Sequence, residues 1–163
     1  MHFSLPFIVA KFLAYFYLDM MIVSLLYIIP MATSQSLFAE GSYSEKELKI
    51  QLKKAIKIIS IIIIPAIIVT FLFGNYILLA FGKEYSYEGF ILLKLLSISG
   101  IFISINAIGS AILNIKQKIK LMILLSLVNA FVILSLSVFF IKMDLFGVGI
   151  GWTVGYGATA LIY

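Results

Sequence analysis

"IISIIIIPAIIVTFLF", residues 58–73, is the stretch that decides the fold class of this chain. It is almost wholly apolar and lacks the alternation of apolar and polar side chains that marks a membrane β-strand. Together with its neighbours it is long enough for a helix that crosses a bilayer, which needs roughly 20 mostly apolar residues. A helix also satisfies its own backbone hydrogen bonds, as the lipid interior requires. The stretch therefore predicts a membrane-spanning α-helix.

The composition of the whole chain extends this prediction. Of its 163 residues, 63% are hydrophobic and 12% are charged, whereas soluble domains are roughly 45–50% apolar and about 25% charged. A chain this short cannot bury so much apolar surface in a soluble core. We therefore predict an all-α fold, a polytopic transmembrane helix bundle of about five spans, in a multi-pass protein of the cytoplasmic membrane.

Five segments have the length and apolar character of spans, and we assign them to one transmembrane helical domain over residues 1–163. The predicted loops between them are residues 39–54, 74–89, 114–118 and 142–145. The predicted spans are about 12–38, 55–73, 90–113, 119–141 and 146–163.

The lysines are distributed unevenly among the predicted loops. Eight of the twelve lie in or beside the first and third loops, which two crossings place on the same side of the membrane. The positive-inside rule makes that side cytoplasmic, so we interpret the net charge of +5 as a topology signal and expect no nucleic-acid partner. The lysines of the predicted inner-leaflet face are Lys46, Lys49, Lys53, Lys57, Lys116 and Lys118.

The first loop also carries the signals of a helix start. Ser44 and Glu47 form an S-x-x-E capping box, which predicts a short amphipathic helix leading into the second span. Its lysines could attract anionic lipid headgroups, at about 1 kcal/mol each, or could simply orient the protein in the membrane.

Four neutral polar residues follow a proline near the end of the first span, in "IIPMATSQSLFAEGSYSEKE", residues 28–47. Pro30 removes a backbone donor, and Thr33, Ser34, Gln35 and Ser36 come next. One interpretation is a bent helix that presents Gln35 and hydroxyls to a hydrophilic passage. The other is a helix that is reaching the cytoplasmic interface.

Asp19 is the one carboxylate within a predicted apolar span away from a loop. It could respond to protons or cations in a watery cavity, or could reach outward to the interface among Tyr15 and Tyr17. Asn106 and Asn129 fall near the middle of the third and fourth spans. Each could hold helices together by hydrogen bonds or line a substrate path.

The last predicted span has small residues at helical spacing. Gly147, Gly151 and Gly155 form a doubled G-x-x-x-G pattern, which allows a neighbouring helix backbone to approach closely. We predict that this stripe is a helix-packing face.

The residues needed for common catalytic sites are missing from the sequence. The chain has no cysteine, and its one histidine is His2. No nucleophile has a base at a plausible spacing. We therefore expect neither an enzyme nor a metal site nor a cofactor.

The order of the segments points to a family. A helix ending in "IPMATSQSLFAEGS", residues 29–42, leads to a basic segment and a proline-bearing span. "LFGNYILLAFGKEYSYEGFILLKLLS", residues 72–97, follows, then "LNIKQKIK", residues 113–120, and "GVGIGW", residues 147–152. From about Tyr15 onward this order resembles the second half of polysaccharide biosynthesis proteins, the oligosaccharide-lipid flippases of the multidrug/oligosaccharidyl-lipid/polysaccharide exporter superfamily.

The resemblance implies a larger transporter of two helix bundles that rock about a polar or cationic cavity. This chain would be a C-terminal-half fragment of it, with a missing N-terminal helix bundle as its partner. The substrate would be a lipid-linked sugar. The transporter would move it from the inner to the outer leaflet of the membrane lipid without making or breaking a bond. The candidate substrate-pathway residues are Asp19, Gln35, Asn106 and Asn129.

Two other functions stay open. One is a cation-coupled multidrug extruder of the same superfamily, for which a buried carboxylate such as Asp19 would be needed. The other is a membrane subunit or assembly partner that transports nothing itself.

Overall fold

The protein is a bundle of α-helices. The computed structural model describes residues 5–140 and 144–163, and side chains over residues 10–140 and 145–163. Within these ranges there is no strand, so the prediction of an all-α fold is confirmed. The helices in chain order are α1 (Leu5–Gly41), α2 (Glu45–Leu79), α3 (Lys83–Ile115), α4 (Ile119–Phe139) and α5 (Asp144–Ala160).

Four of the described helices are long and apolar enough to cross a membrane. They contribute 32 residues in Ala10–Gly41 of α1, 35 in α2, 33 in α3 and 21 in α4. Helix α5 has 17 residues and is therefore about 25 Å long, at the lower limit for a spanning helix. The fold is that of a multi-pass membrane protein, with a fifth helix shorter than the others.

The connections are shorter than predicted. Helices α1 and α2 are separated by residues 42–44 only, and α2 and α3 by residues 80–82. The predicted amphipathic helix is not a separate element, because the capping box starts a helix that continues straight into the second span. Ser44 Oγ accepts a hydrogen bond from the Glu47 backbone N–H at 3.2 Å, which confirms the predicted cap. The predicted fourth loop at residues 142–145 and the end of the fourth span at residue 141 fall largely outside the described residues, as does His2.

Neither internal proline ends its helix. Pro30 lies inside α1 and Pro65 inside α2. Each proline removes one backbone donor, and nearby hydroxyls and packing against other helices make this tolerable within a membrane. After Pro30, Thr33 Oγ1 donates to the carbonyl oxygen of Ile29 at 2.8 Å, so this hydroxyl is satisfied within its own helix.

Helix α3 is at the centre of the bundle. It packs against α1 and α2 on one side and against α5 on the other, while α4 packs mainly on α5. Leu92, Leu93 and Leu96 of α3 are fully buried in the main apolar core. The position of α3 explains why it carries more buried residues than the helix α4, of which one residue, Leu125, is buried among those described.

The first and third connections lie at the same end of the bundle, as the lysine distribution predicts. Helices α2 and α3 are antiparallel neighbours joined by a short turn, so the start of α2 lies beside the end of α3. At this end a Cβ on Gly41 would lie 3.3 Å from Ile115 Cδ1. We call it the lysine end, because it carries the six lysines of the predicted inner-leaflet face.

Candidate functional site

Asp19 is buried inside the bundle. Its side chain has no solvent exposure and faces Gly89 of α3, where an added Cβ would lie 3.0 Å from Oδ2 and 3.1 Å from Oδ1. Neither carboxylate oxygen has a hydrogen-bond partner within the described part of the chain. Asp19 therefore does not reach outward to the interface, which rules out one of the two interpretations that its sequence position allowed.

A polar cluster lies between α1 and α3 at the end of the bundle opposite the lysine end. Lys11 Nζ and Tyr15 OH both donate to Glu84 Oε2, at 2.9 and 3.1 Å. Lys11 lies eight residues before Asp19, or about 12 Å along α1. The sequence did not point to this cluster, because Lys11 and Glu84 are 73 positions apart and both were assigned outside the predicted spans.

The two mid-span asparagines lie around helix α5. Asn106 Nδ2 donates to Thr159 Oγ1 at 2.9 Å and to the Tyr156 carbonyl oxygen at 3.2 Å. Asn129 of α4 lies beside Tyr156. Asn106 therefore acts as a hydrogen-bonded link between α3 and α5. The Oδ1 atoms of both asparagines are buried and have no partner among the residues described.

The four predicted pathway residues do not form one continuous wall. Gly89, which contacts Asp19, is 17 positions from Asn106 on α3, a separation of about 25 Å. Gln35 is exposed on α1. The structure thus places Asn106 and Asn129 both beside Tyr156 of α5, and Asp19 and Gln35 elsewhere.

A polar crevice lies between the end of α1 and the start of α2, at the lysine end. Its volume is about 240 Å³, and it is formed by residues of both helices. Thr33, Ser36 and Glu40 are three and four positions apart, which puts them on one helix face, whereas Gln35 points elsewhere. This spacing is the signal that could have selected these residues in place of Gln35. The polar side chains of the crevice are Thr33, Ser36, Glu40, Gln51 and Lys54.

Lys94 lies inside a spanning helix, within the range predicted for the third span. It is eleven residues into α3, about 16 Å from Lys83. Its Nζ is 4.1 Å from the ring centroid of Phe90 and 5.4 Å from that of Phe71. Helix α3 begins at Lys83, seven residues before the predicted start of the third span, so Lys94 lies deeper in the helix than the predicted boundary implies. The ring faces attract the ammonium group electrostatically in a region of low polarity.

An apolar groove of about 380 Å³ runs between α2 and α3 on the other flank of α2 from the polar crevice. Tyr163 contributes to its wall, held by a hydrogen bond of 2.9 Å between its OH and Ser110 Oγ. The other lining residues are Ile56, Ile59, Ser60, Ile63, Ile64, Ile101, Ser104, Ile105, Ile108, Gly109 and Ile112.

The lysines of the predicted inner-leaflet face are all exposed at the lysine end. Across residues 10–140 and 145–163, none of them forms an ion pair with a carboxylate. Their charges are therefore available to an anionic surface. These lysines are Lys46, Lys49, Lys53, Lys57, Lys116 and Lys118.

The glycine stripe of α5 faces α4 at close range. A Cβ on Gly151 would lie 2.8 Å from Ser137 Oγ and 2.9 Å from its backbone nitrogen. Gly147 and Gly155 would meet Phe140 and Ile133 in the same way. The stripe is where the two helix backbones come closest.

Comparison with known protein families, with curated proteins and with solved structures gives no match to this chain. What the fold defines is the class of multi-pass helical membrane proteins. The resemblance to flippases stays a prediction from the quoted segments.

Proposed function

We propose that this chain is part of a flippase that moves lipid-linked oligosaccharide or polysaccharide precursors across the cytoplasmic membrane by alternating access. The observation that carries the proposal is the polar crevice at the lysine end, between α1 and α2. Its α1 wall is formed by residues of the segment "IPMATSQSLFAEGS", one of those on which the family resemblance rests.

The chemistry of the crevice matches a lipid-linked sugar. Such a substrate carries an anionic phosphate next to sugar hydroxyls. Lys54 supplies an ammonium group for the phosphate, and charge-assisted hydrogen bonds of this kind are the stronger ones. Ser36 and Gln51 supply hydroxyl and amide groups for the sugar, and Glu40 accepts from sugar hydroxyls. Thr33 Oγ1 donates to the carbonyl oxygen of Ile29 and is left to act as an acceptor.

Lys94 of α3, which lies over the ring of Phe71 of α2, adds a second cation. Charged residues within spanning segments are costly, and by default they indicate a functional pathway. In this proposal Lys94 meets the phosphate after it has left Lys54. The partner bundle, which the resemblance places N-terminal to this chain, supplies the surface against which these helices rock.

Proteoliposomes that contain this chain together with the proposed N-terminal bundle test the proposal. A fluorescent lipid-linked saccharide is incorporated into both leaflets, and its transfer is followed by loss of protection from a membrane-impermeant quencher. We expect transfer above that of protein-free liposomes, and we expect Lys54→Gln and Lys94→Gln to slow it. Lys120→Gln, which removes a lysine from the same end outside the crevice, should leave the rate unchanged. Equal decreases in the transfer rate for all three variants would contradict the proposal.

A cation-coupled multidrug extruder is the second candidate, and Asp19 favours it. A buried carboxylate without a partner inside a spanning helix is suited to bind a proton or a cation during transport. Dye efflux driven by an imposed pH gradient tests this function. Asp19→Asn should abolish the efflux and Glu88→Gln, an exposed carboxylate change, should not.

A further inference from the structure

The apolar groove between α2 and α3 presents a hydrocarbon surface. Most of its lining side chains are isoleucines. The hydroxyl of Ser104 donates to the Gly100 carbonyl oxygen at 2.6 Å, and that of Tyr163 is paired with Ser110. These two hydroxyls are satisfied by the protein, and Ser60 is the remaining polar side chain of the lining, so the groove surface is mostly apolar.

The groove is long, narrow and aligned with the helices. On α2 it extends from Ile56 to Ile64, about 12 Å, and on α3 from Ile101 to Ile112, about 16 Å. Ile56 and Ile112 are the residues nearest the lysine end. Its volume of about 380 Å³ is at the lower end of the range for ligand sites. The shape fits one extended hydrocarbon chain that enters from the leaflet at the lysine end.

A lysine stripe, formed by Lys49 and Lys53, lies next to the groove at the lysine end. Lys49, Lys53, Ile56, Ser60 and Ile63 are separated by four, three, four and three positions, so all five lie on one face of α2. The last three line the groove, and the first two are exposed and form no ion pair with a carboxylate in the described ranges. On this face of α2, two ammonium groups therefore follow the apolar groove.

We propose that this groove is a binding site for an anionic phospholipid, with an acyl chain between α2 and α3 and the headgroup phosphate on Lys49 and Lys53. The charge of the stripe selects an anionic over a neutral lipid, since basic side chains near the membrane surface attract anionic headgroups. The site lies on a different flank of α2 from the polar crevice of Lys54. It is thus independent of the transport function, and a chain that moves no saccharide would still hold this lipid.

Native mass spectrometry of the full chain tests the site. The chain is held in detergent micelles that contain equal amounts of phosphatidylglycerol and phosphatidylcholine, and the lipid that stays bound is counted. We expect one phosphatidylglycerol to be retained in preference to phosphatidylcholine. Lys49→Gln with Lys53→Gln should lower this preference on the order of tenfold. Lys83→Gln with Lys120→Gln removes the same charge from exposed positions outside the groove and outside the inner-leaflet lysine face, and should leave the preference unchanged.

A second pair of variants tests the groove itself. Ser60→Phe fills the groove and should reduce retention of both lipids, whereas Ile61→Phe places the same ring at a neighbouring position that is 60% exposed and lies outside the groove. Circular dichroism checks that both variants keep their helices, and the exposed lysine variants test the site without altering the core. Equal retention of the two lipids by the unmodified chain would overturn the proposal. Equal effects of the two lysine pairs, or equal retention by the two phenylalanine variants, would also overturn it.

Discussion

The carboxylate of Asp19 in α1 lies against Gly89 in α3, so that an acidic side chain of one helix meets a glycine of the other. A Cβ at residue 89 would lie 3.0 Å from the nearer carboxylate oxygen, closer than ordinary packing distance. The absence of a side chain at residue 89 is what makes room for an aspartate in the interior of the bundle.

Gly89→Ala should therefore destabilise the bundle. Gly100→Ala in the same helix is the matched control, because its Cβ would lie 3.7 Å from Tyr27 Cε1, an ordinary contact. Both changes replace a helical glycine by alanine and gain the same helix propensity. The difference between their free energies of unfolding therefore reports the overpacking at residue 89, which costs about 1–3 kcal/mol. The measurement is the free energy of unfolding in mixed detergent micelles, followed by circular dichroism. Equal stability of the two variants would show that Asp19 can move away from residue 89 at no cost.

Asn106→Leu should destabilise the α3/α5 contact. The variant loses the hydrogen bonds from Nδ2 to Thr159 Oγ1 and to the Tyr156 carbonyl oxygen, and such bonds between membrane helices contribute roughly 0.6–2 kcal/mol. Asn129→Leu is the comparison, because it removes a buried Oδ1 that has no partner among the described residues. We expect Asn129→Leu to cost less free energy of unfolding than Asn106→Leu. The reverse order would contradict the role of Asn106 as the link.

Gly151→Ala should separate α4 from α5. Its new Cβ would meet the backbone nitrogen of Ser137 at 2.9 Å, and a backbone atom cannot rotate away as the end of a side chain can. Gly157→Ala is the control in the same helix, since its Cβ would be 3.7 Å from the nearest ring atoms of Phe102. We expect Gly151→Ala to be less stable by about 1–3 kcal/mol, measured by unfolding in detergent. If the two variants have equal free energies of unfolding, the glycine stripe is not the close-packed face of α5.

The features that sequence predicted well are those that depend on local chemistry. The cap at Ser44 needs only a hydroxyl and a backbone N–H three residues later. The spans need only length and apolar character, and the shared end of the first and third connections follows from counting crossings. Each of these is fixed by neighbours along the chain.

The features that sequence missed depend on contacts between distant residues. Whether Asp19 turns inward is decided by Gly89, which is 70 positions away, and nothing near Asp19 in the sequence indicates it. The depth of Lys94 in its helix was underestimated because the start of a span is hard to fix from composition alone, and α3 begins at Lys83 instead of near residue 90. The polar crevice needs α1 and α2 side by side, and so the presence of Ser36 and Lys54 in one crevice could not be anticipated from either segment.

The lysine end can be located in the membrane with single cysteines, because the chain has none of its own. Ile50→Cys lies near the start of α2 and Gln117→Cys in the connection between α3 and α4, and both positions are exposed. A membrane-impermeant maleimide should label the two sites from the same side, which the positive-inside rule makes cytoplasmic. Lys83→Cys, beside the turn between α2 and α3, should be labelled from the opposite side. Labelling of residues 50 and 117 from opposite sides would mean that α2 and α3 do not both cross, and the proposed lipid site and transport function would fall with them.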